Sequence, residues 1–246
     1  MKKITLSLVS IFAMNSLAFA GGTIVPVVEP VVEVPTVVET VIDPKYAVGL
    51  KVGTLGLGLD LSHSLTDKLN IRLNINGASY SDSSTEEGID YDYDVDLLTA
   101  GLLLDYYPMG NEFRVSAGAY YNANEFALNA QANNGTYTIG GNTYDARGVA
   151  LNGTIDFDEF APYIGIGWGN STKQAGWGFS VDVGVMYQGE PNVDLTSTCD
   201  PTQVAGGTGT CATITADVNT EEADLINELS DYKIYPVVSF GVTYTF

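Results

Sequence analysis

Six charged residues share one parity of a series of alternating segments: Lys51, Asp60, Arg72, Asp105, Arg114 and Asp182. Three cations and three carboxylates gathered in a confined space can do one of two things. Left open, they form a charged constriction that selects a passing solute. Paired, they make a salt-bridged core, because an unpaired buried charge is costly. The equal number of each sign favours pairing. Catalysis has less to work with. A base-activated nucleophile would ordinarily place a His beside a Ser or Asp. The single histidine, His63, sits on the apolar parity of its segment, three residues before a short turn. No catalytic residue is assigned, and the chain is not expected to be an enzyme.

The remaining candidates are acids and cysteines. "STEEGIDYDYDVD" supplies Glu86, Glu87, Asp90 and Asp92, followed by Asp94 and Asp96. A second group holds Asp217, Glu221, Glu222, Asp224, Glu228 and Asp231. Such clusters concentrate cations and repel anions, and carboxylates suit Ca²⁺ or Mg²⁺. Their spacing is not that of an EF-hand, so no dedicated metal site and no cofactor follow. Cys199 and Cys211 are the only cysteines, and a pair in one loop of an exported chain is expected to form a disulfide.

Export is written at the N-terminus. "MKKITLSLVSIFAMNSLAFAGG" has Lys2 and Lys3, an apolar stretch, then Ala18-Phe19-Ala20, the pattern of a signal peptide (residues 1–20) cleaved after Ala20. Cleavage removes two basic residues and no acid, leaving 8 bases against 30 acids, a formal charge of −22. That charge excludes nucleic acid as a partner. Residues 21–45 are Val-Val-Glu repeats broken by Pro, which disfavours regular pairing, and read as an extended periplasmic leader.

The segments that carry the six charges alternate with a period of two. In "WGFSVDVGVMYQGE", Trp177, Phe179, Val181, Val183, Val185 and Tyr187 share one face. "FRVSAGAYYNAN", "LNIRLNING" and the terminal "YPVVSFGVTYTF" repeat the pattern. The polar faces are Gly, Ser, Asn and Thr with isolated charges, and the apolar faces carry aromatics near their ends. A secreted sandwich would turn its polar face to water and load it with Lys and Glu. The composition instead fits an all-β, antiparallel transmembrane barrel with lipid outside and a crowded polar lumen inside.

Strands are expected near 46–53, 56–65, 69–81, 95–107, 113–130, 155–169, 177–197 and 232–246, giving an eight-stranded barrel over residues 46–246. The joins at Thr66–Lys68, Pro108–Glu112 and Ser171–Gly176 are short and assigned to the periplasmic side. Those near 82–94, 131–154 and 198–231 are expected as long acidic extracellular loops. Thr54-Leu55 would be a tight external hairpin, and "TEEADLINELSDYK" a short helix capped by Thr220. Asp94 and Asp96 share parity with lipid-facing Leu98, Leu102 and Leu104. They must lie above the hydrocarbon, or a bulge must switch the faces.

"FAPYIGIGWGN", "WGFSVDVGVMYQGEPNVDL" and "YKIYPVVSFGVTYTF", with "VGTLGLG" and "FRVSAGAYYNAN", resemble the carbapenem-associated outer-membrane proteins (CarO) over most of residues 46–246. The architecture more distantly resembles the OmpW group. The resemblance implies an eight-stranded barrel in the outer membrane of a Gram-negative bacterium, associated with uptake of small, often basic, amino acids and with drug susceptibility. No binding residue carries over. The expected function is a narrow porin for small cationic or zwitterionic solutes. The alternative is a non-conducting barrel whose acidic loops bind divalent cations, lipopolysaccharide or a partner.

Overall fold

The structure, a computed structural model, describes residues 45–246 apart from positions 87, 133, 170 and 171, and no side chain at 86 or 132. The expected signal peptide and all of the leader but Lys45 lie outside the described residues. In chain order the elements are β1 (Tyr46–Gly53), β2 (Gly56–Thr66), β3 (Leu69–Glu86), β4 (Ile89–Tyr106), β5 (Phe113–Asn122), β6 (Glu125–Ala132) and β7 (Thr136–Ile139). There follow β8 (Asn142–Asp145), β9 (Val149–Asp156), β10 (Phe160–Trp168), β11 (Gly176–Tyr187), β12 (Asn192–Cys199), helix α1 (Thr208–Leu229) and β13 (Ile234–Thr245).

Strands β1, β2, β3, β4, β5, β10, β11 and β13 pair antiparallel in that order, and β13 returns to β1 with Ala47 opposite Thr245. This is a closed eight-stranded barrel. Closure satisfies every strand edge, which is what a sheet in lipid requires. The apolar parity faces outward: Leu50, Leu57, Leu59, Phe179 and Ile164 are among the exposed large apolar side chains. Aromatics flank this belt. Trp168, Trp177, Tyr106, Tyr244 and Phe246 lie at the short-turn end, Tyr121, Phe160 and Tyr187 at the other. From Phe160 to Trp168, eight steps of about 3.4 Å at a tilt near 40° span roughly 21 Å, close to the band height of outer-membrane barrels. Among the described residues no helix is long and apolar enough to cross a membrane. The strands do the crossing.

Three expected strands are each two strands. The run at 113–130 divides at Ala123-Asn124 into β5 and β6, that at 155–169 into β9 and β10, and that at 177–197 into β11 and β12. The cause is an exchange of partners on β4: its Thr99–Tyr106 half pairs with β5, its Ile89–Asp96 half with β6. Beyond the barrel rim the same sheet continues through β3, β4, β6, β9 and β12. The long extracellular loops are therefore largely regular structure, a correction to the sequence reading. The missed signal was the period of two in "IDYDYDVD". Across the rim that period continues while its polarity inverts. In the barrel even positions of β4 are apolar toward lipid; above it they are Asp90, Asp92, Asp94 and Asp96, and the odd positions Ile89 and Tyr91 join an apolar core. Register runs unbroken from Leu69↔Tyr106 to Glu86↔Ile89. No bulge intervenes, so Asp94 and Asp96 lie above the hydrocarbon.

Helix α1 packs against β12 and β7 and covers that core with Ile214 and Val218. It starts at Thr208, twelve residues before the expected cap; Thr220 is mid-helix, its hydroxyl donating to the Ala216 carbonyl at 3.1 Å. The Thr-rich "TGTCATIT" hid that start, because β-branched residues weaken helix propensity while burial of Ile214 offsets it. The Cys199–Cys211 disulfide ties the end of β12 to the first turn of α1. The β7–β8 hairpin is pinned to α1 by Asp217, which accepts from the Tyr144 hydroxyl and from the Asn142 amide at 2.8 Å, and by Glu221, which accepts from Gly140 N–H at 3.1 Å.

Two outcomes follow. Reduction of the disulfide, closing a loop of twelve residues, is expected to remove about 3 kcal/mol from the extension. Proteolysis should then cut within 200–230 while the barrel keeps its folded mobility on cold SDS gels. The Tyr144 hydroxyl and Asn142 amide hold the Asp217 carboxyl below its ordinary value. The tether is thus fully present above the ordinary carboxylate range and is lost as pH falls through the depressed value. Hydrogen exchange over 136–145 should rise below about pH 4, and at pH 7 in Asp217→Ala.

Candidate functional site

All six charges on the polar parity meet inside the barrel. Arg72 of β3 lies at the centre: its Nη2 donates to Asp105 Oδ1 at 2.9 Å, and its Nε stands in ion-pair contact with Asp105 Oδ2 at 2.8 Å. It also reaches Asp182 at 3.4 Å and Asp60 at 3.5 Å. Arg114 donates from Nη2 to Asp182 at 2.7 Å and from Nη1 to the Gly169 carbonyl. Lys51 pairs with Asp60 at 3.2 Å. Side-chain exposures across this set run from 0% to 7%, so every ion is dehydrated and every ion is paired. Charge-assisted bonds of this kind are the strong ones in a low-dielectric interior.

Neutral groups complete the layer. Ser116 donates to Asp105 at 2.5 Å, Asn74 to Asp60 at 2.7 Å, and Asn76 to Asn74 at 2.6 Å and Thr99 at 2.9 Å. The asparagines were visible as the polar parity of β3, but nothing in the sequence said they would continue the ion network. One wall is thin by necessity: a Cβ on Gly167 would lie 2.7 Å from Asp182 Oδ1 and 2.9 Å from Arg114 Nε.

A second layer sits toward the extension. Leu55, Leu103, Tyr120, Ala161, Tyr163, Met186 and Val237 form a buried cluster across the lumen, with Tyr120 and Tyr163 edge to face at 5.5 Å. Leu55 comes from the two-residue Thr54-Leu55 turn, anchored by Thr54 donating to the Pro236 carbonyl at 2.9 Å. Leu103 and Met186, apolar residues on a polar parity, were the signal for this layer. The cavity lined by Lys51, Leu55, Asn76 and Val237 holds about 10 Å³, room for one water at most.

The other expected site residues stand elsewhere. Asp90 and Asp92 are on the outer face of β4 above the rim, so they do not line a lumen entrance; Thr85 donates to Asp90 at 2.6 Å. Glu87 and the Glu86 side chain lie outside the described residues. His63 stacks on Tyr46 at 4.5 Å by the short-turn rim, away from the lumen carboxylates. Among the described residues no three His, Cys, Asp or Glu side chains are arranged to hold a metal ion.

With this geometry in view, solved structures supply the comparison. The barrel is similar to CarO. CarO2 of Acinetobacter baumannii matches at 28% identity and a TM-score of 0.53, over 82% of this chain and 98% of the other. CarO of the same organism matches at 26% and 0.53, again over 82% and 98%. A major outer membrane protein of Thermus thermophilus, at 14% and 0.41, is too distant to add to the argument. No family model and no curated protein sequence matches the chain. Belt, girdles and CarO likeness together make the chain an outer-membrane barrel.

The network sets its own test. Arg72→Met would strand three carboxylates on two cations and is expected to cost about 3–5 kcal/mol. Gly167→Ala is expected to cost about 1–3 kcal/mol through overpacking. Lys51→Met, which removes one partner at the margin of the cluster, should cost less than Arg72→Met. Urea titration of the refolded barrel, read by gel mobility, ranks the three.

Proposed function

We propose that this chain is a closed outer-membrane barrel whose working surface is the extracellular sheet-and-helix extension. The observation that carries the reading is the doubly filled lumen. A layer of paired ions and a layer of Leu, Met and Tyr occupy the bore at successive levels. A solute would have to break buried pairs and displace packed side chains, and each step leaves charge or apolar surface exposed. The extension supports the same reading from outside. Its acids, Asp90 to Asp96 among them, suit cationic partners: divalent ions, cationic solutes or ion-bridged lipopolysaccharide.

The second reading is a narrow porin for small cationic or zwitterionic solutes. It draws on the CarO resemblance and on the negative extension, which would raise cation concentration at the rim. Planar-bilayer recording separates the two. A silent wild type, with steps appearing in Leu55→Gly/Leu103→Gly or in Arg114→Ala, is the expected result. Discrete cation-selective steps in the wild type, altered by Asp105→Ala and Arg114→Ala, would establish the porin.

A further inference from the structure

Beside the apolar core of the extension lies a cavity of about 300 Å³, the size of a small-molecule site. Its walls come from six elements: Tyr91 of β4, Leu128 of β6, Tyr137 of β7, Leu151 of β9, Leu195 of β12 and Leu225 of α1. One carboxylate lines it, that of Glu221 of α1. The Gly140 amide donates to Glu221 Oε2 at 3.1 Å, which fixes the carboxylate at the cavity edge. Among the described residues no Lys or Arg pairs with it.

The surroundings select the sign of a ligand. Residues 82–96, 125–159 and 188–231 hold 21 acids and a single base, Arg147. That base is committed to Asp145 at 2.5 Å and holds its carboxyl down to about 2. A field of this sign draws cations toward the extension and keeps anions away. The walls are mostly apolar, with Thr136, Thr138, Asn152 and Thr196 the neutral polar residues among them, so a ligand with a hydrocarbon body suits them better than one polar all round. Tyr91 and Tyr137 in the lining add aromatic surface, which suits an ammonium group.

We propose that this cavity binds a small apolar organic cation, an aromatic or branched-alkyl primary amine. The hydrocarbon body lies among Leu128, Leu151, Leu195 and Leu225, and the ammonium rests on the Glu221 carboxylate. This deepens the reading of the extension as the working surface. It stands or falls separately from the closed lumen, which bilayer silence tests.

The test is calorimetry of the full chain in lipid nanodiscs, with empty discs subtracted, using tryptamine and its neutral counterpart tryptophol. Tryptamine is expected to bind about tenfold more tightly, the worth of one charged hydrogen bond, and added salt should weaken tryptamine alone. Glu221→Gln should bring the two ligands level without changing tryptophol. Leu225→Trp, which fills the cavity, should abolish both; Leu128→Phe is a second filling variant should α1 not tolerate the first. Absence of tryptamine binding to the wild type, equal binding of the two ligands there, or tryptamine binding that survives both Glu221→Gln and the filling variants would overturn the proposal.

Discussion

The barrel is organised around one dehydrated layer of ions. Arg72 and Arg114 stand where water cannot reach, and each carboxylate that compensates them comes from a different strand: Asp60 from β2, Asp105 from β4 and Asp182 from β11. Removing any of these groups leaves a charge with no solvent to retreat to. That requirement constrains everything around it. Gly167 must lack a side chain so that Arg114 and Asp182 can meet, while Ser116 and Asn74 donate to Asp105 and Asp60 and Asn76 bonds in turn to Asn74. The outer face is free of such demands. It needs only to be apolar, and Leu, Val, Ile and Phe fill it.

Strand β4 records where the solvent changes. Below the rim lipid lies outside and polar groups inside; above it water lies outside and apolar groups inside. The backbone ladder to β3 ignores the boundary and runs without a bulge through all eighteen residues. Only the side chains invert, from Leu98, Leu102 and Leu104 to Asp90, Asp92, Asp94 and Asp96 on the same parity. The extension is thus a soluble sheet grown from a membrane sheet. It needs what any small soluble sheet needs, a cover for its apolar face. Helix α1 supplies that cover, with the disulfide and Asp217 holding helix and hairpin to it.

Much of this was legible before any coordinates. The periodicity of two is local, so strand positions, the outward face and the membership of the six-charge set can be read along the chain. Short turns announce themselves through Gly, Pro and Asn. The extension was harder to see because acidic, Thr-rich and Gly-rich stretches resemble loops when judged by composition. The alternation in "IDYDYDVD" was present, but it ran counter to the polarity expected of a membrane strand.

Sequence alone therefore determined which residues face lipid, which face the lumen, and that the lumen charges balance. Tertiary structure alone decided which charge pairs with which, since Arg72 and Asp182 are 110 residues apart and meet only because the sheet closes. It also decided that β6, β9 and β12 leave the barrel, and that six separate elements leave a cavity edged by Glu221. The physical reason is the range of the forces involved. Side-chain alternation follows from the geometry of one strand, whereas ion pairing, core packing and cavities depend on which distant strands become neighbours.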